Sequence, residues 1–460
     1  MRVVKEAAPS IPEHITPPSG RIVKTYSIEV ITPIYGGWAK TGEYDVNNII
    51  RAFSVRGNLR FWWRATRGAS FESYEKLLEE ENRIWGCKNQ STDSKSKDIC
   101  AKQLADESKF LQCDKKSPKH KSTIINVKYG LMPNFRYLED KIKSNENKPN
   151  EKNKKSAYGF YRYGEESYVL FPIITTEDKK IKGFEYKLVK EGFTFEITLS
   201  YDINHEKDVE CAIWAWVNFG GIGARTRRGC GALYCEELAP EKPENFCDWF
   251  EENIKQYKLS LGTEREWSTL LRQILTGKPV EKPLDAWKNA IKPMRDFRQG
   301  ERIGRNAGPG RSFWPEPDTL RRILKTHNTR HKPSDQIPNG FPRAAFGLPI
   351  IFSFRGSPGD PNSELYPQGD KRMGSPVILR PLKTRNKRSV PLAVFLKAPL
   401  PDGLELKSID NEDSKMFSRR AVIDPNFTKY PNSPVEKRSA NGNAIEAFAN
   451  YFEKSFEVKR

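Results

Sequence analysis

Five glycines and three arginines crowd the stretch Gly220-Gly221-Ile222-Gly223-Ala224-Arg225-Thr226-Arg227-Arg228-Gly229-Cys230-Gly231. Glycine permits positive φ and close backbone approach, so successive N–H groups of such a loop can face one concavity while Arg225, Arg227 and Arg228 supply charge. That is chemistry for gripping a sugar-phosphate backbone. The other reading is a helix C-cap at Gly220 followed by a hairpin turn, with the arginines in water. A nucleoside-triphosphate loop fits worse, because no Gly-Lys-Ser/Thr follows the glycines and the loop comes after a helix.

A second basic feature is SVRGNLRFWWRATRG (54–68), where Arg56, Arg60, Arg64 and Arg67 recur at spacings of four, four and three. On a helix that spacing makes one narrow stripe. No acidic residue occurs between Asp45 and Glu72, so the stripe reads as uncompensated and in want of an anion; a solvated helix face is the alternative. Trp38, Phe61 and Trp62 could add stacking on bases, although Phe61 and Trp62 suit core packing better than the loop-borne Trp38 does. Further along, Lys292 to Arg330 holds ten Lys/Arg against four acids, and 371–388 has seven Lys/Arg and no acid. Gly304, Gly308 and Gly310, with Arg311, form a secondary candidate for a phosphate cradle, and part of this charge could instead meet protein partners.

Groups for catalysis or metal binding are sparse. Cys87, Cys100, Cys113 and His120 are separated by thirteen, thirteen and seven positions, without the short Cys-x-x-Cys knuckle of well-formed zinc sites, so neither metal nor cofactor is expected. His327 and His331 stand four apart, but Asn328 occupies the place of a zinc protease's general base, and the pair reads as surface decoration. No paired acids, nucleophile elbow or triad can be isolated, so the chain is not expected to be an enzyme.

Elements must position the basic features. Residues 22–35 alternate as a first strand; helices follow from Ser54 and over 71–86. Polar stretches at 87–121 and 140–156 read as an insertion and a loop. Strands are expected at 122–129, 167–175 and 193–201, and a helix at 208–219, apolar on nearly every face, leads into the Gly-Arg loop. The second half shows helices near 246–257, 264–276, 317–326 and 442–456, strands near 346–354, 376–382 and 391–397, and a long loop from Gly356 to Pro367. The mixture indicates an α+β class with antiparallel sheets. Its 460 residues suggest two domains, a tail at 1–21, then 22–240 with the insertion at about 87–121, and 241–460.

Composition agrees with a nucleic-acid partner. The net charge is +19, the pI about 9.4 and the mean hydropathy -0.72, values suited to a polyphosphate-binding surface. Seven scattered cysteines without a secretory leader suggest reduced thiols in the cytoplasm, and no apolar stretch approaches the roughly 20 residues a bilayer requires.

Taken together, ITPIYGGW (31–38), SVRGNLRFWWRATRG (54–68), IWG (84–86) and GGIGARTRRGCGAL (220–233), with WPEPDTLRRI (314–323), FPRAAFGLPIIFSF (341–354) and GSPVILRPL (374–382), resemble the RAMP proteins of CRISPR systems. Within them the chain is most similar in pattern to the large two-domain head subunit of type III-B (Cmr) complexes. The resemblance runs from about Ile22 to Phe452 with gaps at the insertions. It implies two ferredoxin-like (RRM-like) domains, a non-catalytic place at the 3′ end of the guide RNA, and guide RNA, target RNA and other RAMP subunits as partners. The Cys-bearing insertion is not part of the pattern. A metal-independent endoribonuclease that cuts guide precursor is the enzymatic alternative, but none of the five histidines adjoins the matched motifs; a purely structural cap is the third reading.

Overall fold

The computed structural model describes residues 20–36, 49–86, 122–129, 135–137, 168–169, 187–299, 312–354, 358–409, 414–424, 428–430, 433–436 and 438–457. Trp38, Arg311, the Gly304, Gly308 and Gly310 loop, and the zinc candidates Cys87, Cys100, Cys113 and His120 lie outside the described residues.

The first half runs β1 (Arg21–Val30), α1 (Ala52–Ala65), α2 (Tyr74–Trp85), β2 (Ile124–Tyr129), a short pair β3 (Phe135–Tyr137) and β4 (Lys187–Val189), β5 (Thr194–Asp202), α3 (Glu206–Phe219) and β6 (Leu233–Tyr234). The main sheet has the order β2-β5-β1-β6 with every neighbour antiparallel. Set aside α2 and the short pair, and this is a βαββαβ chain in ferredoxin-like order. Period-two burial makes the strands: Tyr26, Ile28 and Val30 on β1 and Phe195, Ile197, Leu199 and Tyr201 on β5 face inward, under α1 and α3.

The second half continues with α4 (Phe246–Tyr257), β7 (Thr269–Thr276), α5 (Pro283–Gln299), α6 (Glu316–Ile323), β8 (Ile350–Phe352), β9 (Ser363–Pro367), β10 (Val377–Lys383), β11 (Ser389–Lys397), β12 (Gly403–Ser408), β13 (Ser414–Ser418), α7 (Arg420–Ile423) and α8 (Ala444–Phe456). The sheet β10-β11-β7 is antiparallel. In chain order β7-α5-β10-β11-α8 repeats the βαββα part of the first half. Between α5 and β10, and again after β11, the chain contributes to a second sheet, β13-β12-β9-β8. The class is α+β, in agreement with the sequence.

The β10-β11-β7 sheet is apolar on both faces. Ile378, Leu382, Val390, Leu392 and Leu270 join the core that also holds α1, α3 and β1, whereas Val377, Leu379, Ala393 and Phe395 enter a second core with Phe297, Phe346 and Phe448. Two-sided burial explains why the helix expected over 264–276 does not form. Trp267, Leu270, Leu271, Ile274 and Leu275 fall at helical spacing, yet residues 269–276 form β7, whose two faces feed different cores. The loop expected from Gly356 to Pro367 contains β9, whose Ser363, Leu365 and Pro367 are buried. Helix α5 has no counterpart in the sequence reading. It accommodates Pro293 in its interior and begins with Pro283, which suits a first helical turn.

Candidate nucleic-acid interface

Helix α3 buries every residue from Cys211 to Phe219 and ends at Gly220, whose N–H donates to the Trp216 carbonyl at 2.9 Å. A side chain could not replace that glycine's hydrogen, since a Cβ would stand 2.4 Å from Trp62 Nε1. The loop is then pinned by its own backbone: Ile222 N–H donates to Gly231 O at 2.9 Å and Ala224 N–H to Tyr35 O at 2.7 Å. Thr226–Arg228 form a single 3₁₀ turn between two left-handed residues, Arg225 (φ 59) and Gly229 (φ 79). A Cβ at Gly229 would come within 2.5 Å of Trp287 Nε1, and that indole N–H donates to Arg228 O at 2.8 Å. The loop is thus a tightly packed turn held between the first half and α5, and the N–H groups of Gly220, Ile222, Ala224, Arg228, Gly229 and Gly231 donate to the protein's own carbonyls.

Only Gly223 is openly exposed here; the three loop arginines are half-buried. Arg225 donates to Val169 O at 2.8 Å. Arg227 donates to Ser375 O and lies over the Phe61 ring at 5.4 Å. Arg228 reaches Val377 O at 3.3 Å. Burial pushes all three guanidinium groups below their ordinary pKa, Arg228 down to about 10, with Arg372 adding to the effect on Arg225 and Arg298 to that on Arg228. Among the described residues none of these five arginines has a carboxylate at ion-pair distance, and the acceptors of Arg225, Arg227 and Arg228 are neutral carbonyls and the Ser375 hydroxyl. Five like charges without a counter-ion favour an anion.

The stripe on α1 differs from its sequence reading. Arg60 is buried and paired with Glu81 of α2, which also takes Arg64 at 3.0 Å; Arg67 is paired with Asp208 of α3 at 2.6 Å; Arg56 donates to Trp85 O. Arg60, Arg64 and Arg67 are thus compensated, by acids 17 to 141 residues distant that a scan of the local sequence cannot see, while Arg56 meets a neutral carbonyl. The stripe fastens α1 to α2 and α3. Trp62 is likewise core, against Phe219. His331 is not decoration: its Nδ1 meets Asp360 Oδ2 at 2.6 Å, in a network with Arg321 and Asp318.

One residue at the site stands in the sequence only as part of a basic belt. Arg380, on β10, is fully buried and donates to Val217 O at 2.7 Å, Gly220 O at 2.6 Å and Leu233 O at 2.7 Å. It satisfies carbonyls that the C-terminus of α3 leaves open. The signal available in the sequence is the missing polar cap after Phe219. Two more residues of that belt also tie the halves: Lys383 pairs with Glu29, and Arg385 donates to Ala239 O.

The outer face of the first sheet carries Thr25, Ser27, Asn126, Lys128, Glu196 and Thr198. Among the described residues the aromatic on this face is Tyr234, opposite Glu29 and covered by Lys383 at 4.5 Å, so the face presents no open row of rings of the RRM kind.

Residues 27–234 match the model of the RAMP superfamily. Over that span the chain is similar to RAMP proteins. Over 216 residues it is 28% identical to the CRISPR system Cmr subunit Cmr1-2 of Pyrococcus furiosus, covering 46% of this chain and 95% of that relative. Among solved structures it is similar to apo Cmr1 from Pyrococcus furiosus, at 17% identity with a TM-score of 0.44, covering 83% of this chain and 89% of that one. It is also similar to a chain of a type III-B Cmr-beta complex bound to cognate target RNA, at 10% identity with a TM-score of 0.43, covering 95% of this chain and 100% of that one.

Proposed function

We propose that the chain is a non-catalytic RNA-binding subunit of a type III-B CRISPR effector complex, seated at the 3′ end of the guide RNA and assisting capture of target RNA in antiviral defence. Guide RNA, target RNA and neighbouring RAMP subunits are its partners, in the cytoplasm, and its two ferredoxin-like units correspond to 22–240 and 241–460. The observation that carries this reading is the arginine cluster Arg225, Arg227, Arg228, Arg298 and Arg372, without a carboxylate at ion-pair distance among the described residues, around a loop fixed by close packing. A fixed array of guanidinium groups suits a phosphate backbone, and its contribution is electrostatic and independent of base sequence. Gly220, Gly221 and Gly223 act through the loop's shape, and Arg56, Arg60, Arg64 and Arg67 through holding α1 against it. Trp38 and Arg311 complete the set of proposed RNA contacts. Among the described residues no group of His, Cys, Asp and Glu could hold a metal ion, and no helix is long and apolar enough to cross a membrane.

The test is a salt titration of RNA affinity by fluorescence anisotropy, on the full chain and on the assembled complex. Replacing Arg225, Arg227 and Arg228 together by Ala should weaken binding and flatten the plot of log affinity against log salt by roughly 0.7 for each phosphate that is no longer neutralised. The double variant R298Q/R372Q does the same with less disturbance of packing. Unchanged affinity and slope in both would sink the assignment, and RNA cleavage by the purified chain would overturn its non-catalytic part.

A further inference from the structure

Gly57 stands in the middle of α1, where glycine is a poorer choice than alanine because it leaves more backbone freedom to be lost on folding. Packing does not require it: a Cβ built there would meet nothing within 4 Å, and its φ is not in the left-handed region. The other glycines flanking this helix are different, since Gly68 and Gly220 would drive a Cβ into Leu77 and Trp62. One turn before Gly57 is Phe53, 87% exposed, the most exposed large apolar side chain among the described residues. One turn after it is Phe61, edge-on to Trp62 at 5.4 Å and covered by the Arg227 guanidinium. Residues four apart share a helix face, so Phe53, Gly57 and Phe61 form a single row that ends on the arginine cluster.

We propose that this row is a stacking track for a single-stranded RNA, in which the Phe53 ring takes the face of a nucleobase while the strand passes against the bare backbone of Gly57. The Phe61–Arg227 pair joins the track to the phosphate site. The inference rests on the RNA reading above and adds to it a base-dependent component that the arginines do not supply. A nucleic acid suits the row better than a protein does. Protein docking surfaces are contiguous apolar patches of several hundred Å², whereas Phe53 stands among Ser54, Gly57 and Asn58, so one ring is presented in polar surroundings. Every base offers a π-face to such a ring, which makes the contact tolerant of sequence. The glycine is then explained by what must lie above it.

The experiment compares the full chain with F53A and G57A, using an unstructured 20-nucleotide RNA and the same strand with abasic sites throughout. F53A should bind the base-bearing RNA about fivefold or more weakly, in keeping with one stacking contact, with no change on the abasic strand and no change in salt slope. G57A should unfold at a higher temperature than the parent yet bind both strands more weakly. Parental affinity in both variants overturns the track, as does an F53A chain that binds RNA normally and fails only to associate with protein subunits. A parent chain that binds neither strand overturns the RNA reading itself.

Discussion

Arg380 is a buried charge with no carboxylate beside it, and burial pushes its guanidinium below the ordinary arginine range. What keeps it charged at neutral pH is the fan of carbonyls from Val217, Gly220, Leu233 and Pro381. The C-terminal end of a helix carries partial negative charge, so a cation there is favoured by the dipole as well as by hydrogen bonds. Removing it leaves several buried acceptors unpaired, each costing about 1–3 kcal/mol. R380M should therefore lower the unfolding free energy by roughly 3–5 kcal/mol, measured by urea denaturation. R380K should recover only part of that, because an ammonium has three donors but lacks the planar fork. Equal stability of R380M and the parent would show that the carbonyls find other donors.

At the scale of elements, α6 and the segment before β9 are locked by buried ion pairs. Arg321, 3% exposed, pairs with Asp318 at 3.0 Å and with Asp360 at 3.1 Å, and Asp360 also accepts from Asn328 N–H and His331. Burial alone would raise the Asp360 carboxyl; the hydrogen bonds from Arg321, Asn328 and His331 outweigh it and carry the pKa below the usual carboxylate value. A depressed carboxylate stabilises the fold fully above its unfolded pKa and loses that contribution as pH falls through the folded value. D360N should cost about 3 kcal/mol near neutrality, the lower end for breaking a buried pair because Asp318 remains. The gap between D360N and the parent should be constant near neutrality and narrow in urea midpoints as pH falls below about 4, the ordinary carboxylate value; a gap that does not narrow would mean the carboxylate's charge does not matter. Gly229→Ala tests another element, the 3₁₀ turn. Its left-handed φ and the approach of Trp287 predict a destabilisation of more than about 1 kcal/mol.

The whole molecule is organised around a shared interior. Leu270, Ile378, Leu382 and Leu392 from the second half lie in one cluster with Trp62, Trp214 and Phe219 from the first. Arg380, Lys383, Arg385 and Trp287 then bridge the same divide with polar contacts. Two sheets so joined should unfold as a single cooperative unit, giving one calorimetric transition. A chain ending at residue 240 should be insoluble, since it would expose the faces of α1 and α3 that β10 and β11 cover. Two separate transitions, or a stable 1–240 fragment, would show the halves to be independent. Glu81 and Asp208 at the α1–α2–α3 junction are spent on internal pairs, whereas Arg225, Arg227 and Arg228 have no carboxylate at ion-pair distance among the described residues.

Local periodicity determined most strands and helices here, because β1, β5, α1, α3 and α8 each expose one face or one end to a different medium from the other. The Gly-Arg loop can be found from composition alone, for glycines at left-handed positions are a local requirement. Only the tertiary structure decided which arginines are left for an anion. The stripe at 56–67 looks free in the sequence because its partners, Glu81 and Asp208, arrive on other helices, and Arg380 looks like surface because nothing near it in sequence reveals the open carbonyls of α3. β7 reads as a helix for the same reason: its Leu270 and Ile274 meet one core and its Leu271 and Leu275 the other, a pattern without simple alternation that the sheet alone resolves. Charge compensation and two-sided burial are properties of neighbours distant in the chain, and they exist only once the fold brings those neighbours together.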